Sequence, residues 1–171
     1  KAKYDYREKW LEVTETFSAC QDGSELLNRY LEWLSRTFGT SRVTIWKLFD
    51  VDGRYHQIRR ERRRRKLTEN DPSPNVSEPI PIPENHPLIH HLKGQQEPLL
   101  VQVGQRAAED WREFLDITHA HVCVPLVTEQ RRLLGFCTLS QESVRDDYDQ
   151  DDLDLLRAIA HHVTMLLIQF E

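Results

Sequence analysis

The chain reads as an α+β domain, an antiparallel sheet covered on both faces by helices. Three observations predict this. Two stretches, Ser41 to Arg60 and His121 to Ser140, place β-branched and aromatic runs on either side of a short polar turn, the pattern of a β-hairpin. Helical segments stand around and between them without a repeating β-α-β alternation, so a doubly wound parallel sheet does not fit. The second hairpin is also apolar on both sides: Val122, Val124 and Leu126 point one way, Cys123, Pro125 and Val127 the other. Such a sheet has to be covered twice.

Each element has its own local reason. Tyr6, Trp10, Val13, Phe17 and Cys20 follow a four-three spacing that draws an apolar seam along a first helix. Asp22-Gly23 breaks it, and Ser24 is the expected N-cap of a second helix carrying Leu26, Leu27, Tyr30, Leu31, Leu34 and Phe38, stopped by Gly39. The first hairpin turns at Asp50-Val51-Asp52-Gly53. From Thr68 to Pro83 prolines are too frequent for a helix or an internal strand, which leaves a loop or an extended edge.

A short helix is expected next, with Glu84 or Asn85 at its start, Pro87 in its first turn and Gly94 at its end. Glu97 to Val103 returns as a strand. Ala107 to Thr118 puts Trp111, Phe114 and Leu115 on one helical face. In the second hairpin Gly135 has no second glycine near it, so it reads as a close-approach or bulge position and not as a phosphate cradle. The last helix, Asp149 to Glu171, carries a seam through Leu153, Leu156, Ala160, Val163, Leu167 and Phe170. Asp149, Asp151 and Asp152 sit at its start, where capping and the helix dipole explain them without acid–base chemistry. Its end shows no stop signal, which suggests a helix that runs on in a parent protein.

Composition narrows the function classes. The 171 residues are 39% hydrophobic and 30% charged, with a formal charge of −5 and no apolar run of membrane-spanning length. Arg54 to Lys66 holds eight basic residues against one acid, while Asp146 to Asp154 holds six acids. One basic run in an acidic chain does not make a nucleic-acid face, and a solvated strand end and loop is the simpler reading. Cys20, Cys123 and Cys137 are far apart in sequence, which argues against a disulfide framework or a structural zinc site and suits a reducing cytoplasm. Cys123 and Cys137 lie equally far from Gln130, so a hairpin symmetric about that residue would make them cross-strand neighbours; two buried thiols acting as small hydrophobes is the simpler role.

Several of these residues are familiar as a set. His86 to Val101, Val124-Pro125-Leu126, Leu134-Gly135-Phe136, Tyr148 and the run Asp152 to Val163 resemble the GAF domain family over about Ser24 to Ile168. The resemblance implies a GAF-like (PAS-like) six-stranded antiparallel sheet with helices on both faces, long N- and C-terminal helices, often a parallel homodimer, and a sensory or regulatory task in signalling proteins. Residues 1–22 are then an N-terminal linker or signalling helix, and 23–171 a sensor domain that includes the C-terminal helix 149–171. Asn85 to Leu92, with the acidic start of the last helix, looks most like bacterial sensor histidine kinases, including those of exosortase (PEP-CTERM) systems. The kinase machinery itself is not in this sequence: there is no H-E-x-x-N-P phosphoacceptor setting and no glycine-rich ATP lid. The implied partners are an unknown small ligand, a second copy and an output kinase domain, with no nucleic acid. The implied location is cytoplasmic, in a parent that can be membrane-anchored.

The departures from the family matter as much. Covalent bilin is not expected because no Cys-His pair occurs, and the residue set of cyclic-nucleotide members is missing. Haem is not supported: His119, His121 and the pair His90-His91 lack paired ligand spacing, and no other metal set is seen. There is no G-x-S-x-G or H-E-x-x-H, so no catalytic residue is assigned. If a roofed pocket forms, its ligand-binding candidates are Trp46, Trp111, Phe114, His119 and Cys123. Two alternatives stand beside the sensor reading. One is a ligand-free dimerisation or docking scaffold, using Pro79, Pro81, Pro83 and the run Arg59 to Lys66. The other is a thiol enzyme like the free methionine sulfoxide reductases of this family, which would need Cys123 and Cys137 to meet.

Overall fold

The structure is a computed structural model. It describes residues 5–40, 42–58, 80–101, 114, 118–140 and 148–171. The basic run from Arg59 to Lys66, the proline-rich segment up to Pro79, Trp111 and most of the helix expected over 107–118 lie outside the described residues.

In chain order the elements are α1 (Tyr6–Ser18), α2 (Gly23–Phe38), β1 (Val43–Phe49), β2 (Arg54–Gln57), β3 (Ile82–Pro83), α3 (Pro87–Lys93), β4 (Leu99–Leu100), β5 (Val122–Val127), β6 (Leu133–Leu139) and α4 (Gln150–Gln169). The six strands form one sheet in the order β3-β2-β1-β6-β5-β4. Every pairing is antiparallel. The two sequence hairpins are thus β1–β2 and β5–β6, joined through β1 and β6 at the middle of the sheet. Among the described residues no helix is long and apolar enough to cross a membrane.

The helix ends follow the chemistry of their residues. α2 starts two residues earlier than a Ser24 cap would give: Asp22 is the N-cap and accepts the Glu25 N–H at 2.8 Å. A carboxylate serves that position as well as a hydroxyl and adds a charge where the dipole favours it. Gly39 closes α2 in the left-handed region at φ 65°, with its N–H on Ser35 O. At α3 the cap is neither Glu84 nor Asn85 but His86, whose Nδ1 accepts the Leu88 N–H at 3.1 Å. Burial holds that imidazole below its ordinary pKa, which keeps the ring nitrogen able to accept. α4 opens with a reciprocal capping box: Asp149 accepts the Asp152 N–H at 2.9 Å and Asp152 accepts the Asp149 N–H at 3.0 Å.

The sheet has two differently built faces. On one, α1, α2 and α4 cover Ile45, Val122, Val124, Leu126 and Leu139 with a largely aliphatic layer. Val13 and Phe17 of α1 belong to this core, so the first helix packs into the domain. On the other face lie Trp46, Tyr55, Cys123, Val127, Leu133 and Phe136, covered by Leu88, Ile89 and Leu92 of α3 together with Phe114 and Ala120. The split of β5 into Val122, Val124, Leu126 and Cys123, Val127 is the alternation read from the sequence.

Candidate functional site

The face under α3 is where a ligand cavity was expected, and it is built around aromatic rings. Trp46 on β1 is opposite Phe136 on β6, and their rings stack nearly parallel with centroids 6.0 Å apart. Phe114 meets both edge-on, at 5.4 Å from Trp46 and 5.9 Å from Phe136. Tyr55 closes the group from β2 at 6.0 Å. Trp46, Tyr55 and Phe136 are all 2% exposed or less, so this cluster is interior.

Its polar groups are spent on the protein. The Trp46 indole donates to Thr44 Oγ1 at 3.0 Å, and Thr44 Oγ1 bonds in turn to Thr138 Oγ1 on β6. The Tyr55 hydroxyl reaches across β1 to donate to Leu133 O at 2.9 Å, and burial raises its pKa well above the ordinary value. A binding pocket normally presents a few convergent polar groups to its guest. Here the Trp46 indole and the Tyr55 hydroxyl already have protein partners.

Trp46, Phe114 and Cys123 therefore come together in one buried cluster. His119 does not join them: it is exposed, in a left-handed turn at φ 54° that leads into β5. Trp111 lies outside the described residues. Sequence reading missed Phe136 and Tyr55. The signal for Phe136 is its place two residues from Thr138, on the strand face opposite Cys137, but the alternation that would show it is interrupted toward the turn.

The interruption is a bulge between Leu126 and Val127, and it decides the fate of the cysteines. Val127 pairs with Leu133, the register of a hairpin centred on Gln130, but Leu126 pairs with Gly135 and every later pair is displaced by one. Cys123 consequently faces Thr138, while Cys137 faces Val124. The two thiols end on opposite faces of the sheet, Cys123 among the aromatics and Cys137 under the helices beside the Tyr30 hydroxyl at 3.5 Å. They are not the cross-strand neighbours that symmetry suggested. Burial pushes each up to about 12, so neither is a thiolate near neutral pH. Thiol catalysis through this pair has no geometric basis.

Gly135 sits at the bulge because the backbone of β1 passes over it: a Cβ there would lie 2.3 Å from Trp46 O. Pro125, which has no N–H to give, falls where β4 has ended, since β4 pairs only Leu99 with Cys123 and Leu100 with Val122. Beyond that short strand a groove of about 570 Å³ opens, walled by Pro125, Val127, Trp10 of α1 and Ala160, His161 and Thr164 of α4. Arg157 and Glu97, 3.2 Å apart, bridge α4 to the segment before β4.

Comparison with known proteins agrees with this architecture. The family model described as GAF domain matches residues 22–167. No curated protein matches the chain. Among solved structures, the GAF domain of a phosphoenolpyruvate-protein phosphotransferase from Coxiella burnetii is similar at a TM-score of 0.67 and 15% identity, covering 95% of this chain and 92% of that one. A GAF domain/HD domain protein from Geobacter sulfurreducens gives 0.62 and 12%, covering 88% and 95%. Residues 122 to 287 of a methyl-accepting chemotaxis protein give 0.60 and 13%, covering 92% and 96%. At such identities the likeness is one of fold. With six antiparallel strands, helices on both faces and a family match across most of its length, the chain belongs to the GAF domain family.

Proposed function

We propose that this domain is a sensory or regulatory module of a bacterial signalling protein, relaying its state through the terminal helices α1 and α4. The observation that carries this is where the apolar surface lies. Of the eight exposed large apolar side chains among the described residues, Trp10 and Leu11 are on α1, and Met165, Ile168 and Phe170 are on the last turns of α4 or just after it. Met165 and Ile168 stand three apart and share a helical face. α4 also packs directly on β5 and on α1 and α2, so a shift in the sheet reaches both terminal helices. A second copy meeting these helices in parallel would bury the exposed apolar residues and give the shift a partner to act on.

The parent protein on this reading is a cytoplasmic or membrane-anchored sensor histidine kinase, with 1–22 as its incoming signalling helix and a kinase domain as output. Family membership and the chemotaxis protein among the similar folds support a signalling context. The domain's own task on this reading is binding and relay, not catalysis.

Sedimentation of the 171-residue chain tests the reading. A dimer that dissociates in Met165→Glu and Ile168→Glu is expected, and a strict monomer at high concentration would overturn the relay through paired helices. A phosphoacceptor helix following Glu171 in the gene's translation would identify the output; a different output domain there would remove the kinase part.

One observation favours the second reading, a scaffold without ligand. Among the described residues the aromatic cluster is buried on the face where a small molecule would sit, and the Trp46 indole and Tyr55 hydroxyl already have protein partners. A ligand sensor needs that face to open, and any ligand must bind the open and closed states differently.

A further inference from the structure

The contact between the two terminal helices contains a titratable ring with one unpartnered buried nitrogen. His162 of α4 lies against Trp10 of α1, ring centroids 5.1 Å apart and planes tilted by 57°. Its Nε2 is buried and has no hydrogen-bond partner. Such an atom is tolerable on a neutral ring and costly on a protonated one, which must bury a charge and an N–H together.

Among the charged groups on the elements packed against it, His161 is the one whose charge acts on the ring, and it opposes protonation. On α1, Lys9 and Glu12 flank Trp10 and are paired at 3.7 Å, and Glu12 is also taken by Arg36 of α2 at 2.7 Å. On α2, Arg29 and Glu32 pair with each other at 3.6 Å. β5 carries no charged residue between Val122 and Val127. On α4 the neighbour is His161, which opposes a second positive charge.

We propose that Trp10 and His162 form a proton-sensitive latch between α1 and α4, closed while the imidazole is neutral and released in mild acid. Two effects of protonation oppose each other. A cation beside an indole is attracted to it, but in the cation the Nε2–H is buried without an acceptor, and that penalty outweighs the attraction. Burial and the His161 charge both hold the ring below its ordinary value, in agreement with that ranking. The sign follows. Above about pH 6.5 both docked and undocked rings are neutral and the latch is unaffected. As pH falls below that value the undocked ring takes the proton first, so docking weakens until the depressed docked value is passed. Release would also move Trp10 from the wall of the groove it shares with Pro125, His161 and Thr164. The latch is a property of the fold; only its use as a signal rests on the relay reading.

Hydrogen exchange on the 171-residue chain tests it. Protection factors, corrected for intrinsic rates, are expected to fall about threefold or more over α1 between pH 7.5 and 5.5 while those of β6 hold, since each pH unit separating docked and undocked values is worth tenfold. His162→Leu should abolish the pH dependence, and His161→Gln should keep it with a midpoint at higher pH. A flat α1 response in the unsubstituted chain, or the same fall in His162→Leu, overturns the latch. If His162→Leu does not fold, the imidazole resonance of His162 in the unsubstituted protein decides: a midpoint below the free value sustains the proposal, and one at or above it ends it. A monomer by sedimentation with an intact pH response would sink the relay and spare the latch.

Discussion

The two faces of the sheet solve the same problem with different materials. Under α1, α2 and α4 the cover is regular: three helices of 13, 16 and 20 residues lay aliphatic seams on Ile45, Val122, Val124 and Leu126. Under α3, a helix of only 7 residues, the same task falls to large rings from the strands themselves, Trp46, Phe136 and Tyr55. The comparison turns on whether that aromatic filling is a structural core or a stopper that gives way to a ligand.

The largest expected effect puts the question directly. Trp46→Ala should cost about 3–5 kcal/mol in urea unfolding if the aromatic face is core, close to the roughly 2–5 kcal/mol expected for Leu156→Ala on the helical face. Leu156 is fully buried, so it is a fair reference. A loss under about 1 kcal/mol at Trp46 beside a full loss at Leu156 would mark the aromatic face as a loosely held site. Gly135→Ala comes next, at about 2–3 kcal/mol, because the added methyl meets the Trp46 carbonyl, a backbone atom that cannot swing aside. It strains the junction of β1 and β6 that both faces share, so it should lower their protection from hydrogen exchange together.

How much of this was legible in the chain differs between the faces for the same physical reason. Long helices repeat their seam often enough to be read, and Leu26, Leu34, Leu156 and Val163 all reach the core the periodicity assigned them. The aromatic face depends on register, and one bulged residue resets it. Cys137 was read against Cys123 because the turn end of the hairpin is symmetric about Gln130, and nothing local in Leu133-Leu134-Gly135 fixes the displacement apart from the glycine. Trp46, Phe114 and Cys123 lie in one buried cluster; His119 turns outward because it belongs to a turn whose backbone no periodicity describes. The strand order joining β1 to β6 is a long-range choice that local pattern does not encode.

A smaller effect checks that the helical face is anchored at its ends. Asp149→Ala removes the acceptor of the Asp152 N–H and leaves Asp152 as half of a capping box, at a cost of about 1 kcal/mol. Asp149→Ser should recover most of it. If both substitutions were neutral, the acids at the start of α4 would need an explanation other than capping.

The sharpest comparison has the smallest expected effect, because a cysteine stands on each face as a native probe. Cys123 lies fully buried among the aromatics and Cys137 fully buried under the helices, each thiol held up to about 12. At pH 8 the thiolate fraction of either is only about one in ten thousand, and a reagent has no path to it without opening. Cys20, at the end of α1, is 7% exposed and its sulfur donates to Thr16 O at 3.6 Å, so fraying of one helix end is enough to uncover it. Alkylation followed by peptide mass mapping should therefore find Cys20 modified first and Cys123 and Cys137 together, at the rate of global unfolding. Equal rates mean the two faces open as one unit, which is what a core does. A faster Cys123 would mean that the roof of α3 and Phe114 lifts while the helical face stays closed, and the aromatic cluster would then be a stopper over a site, with sensing by ligand preferred to a scaffold.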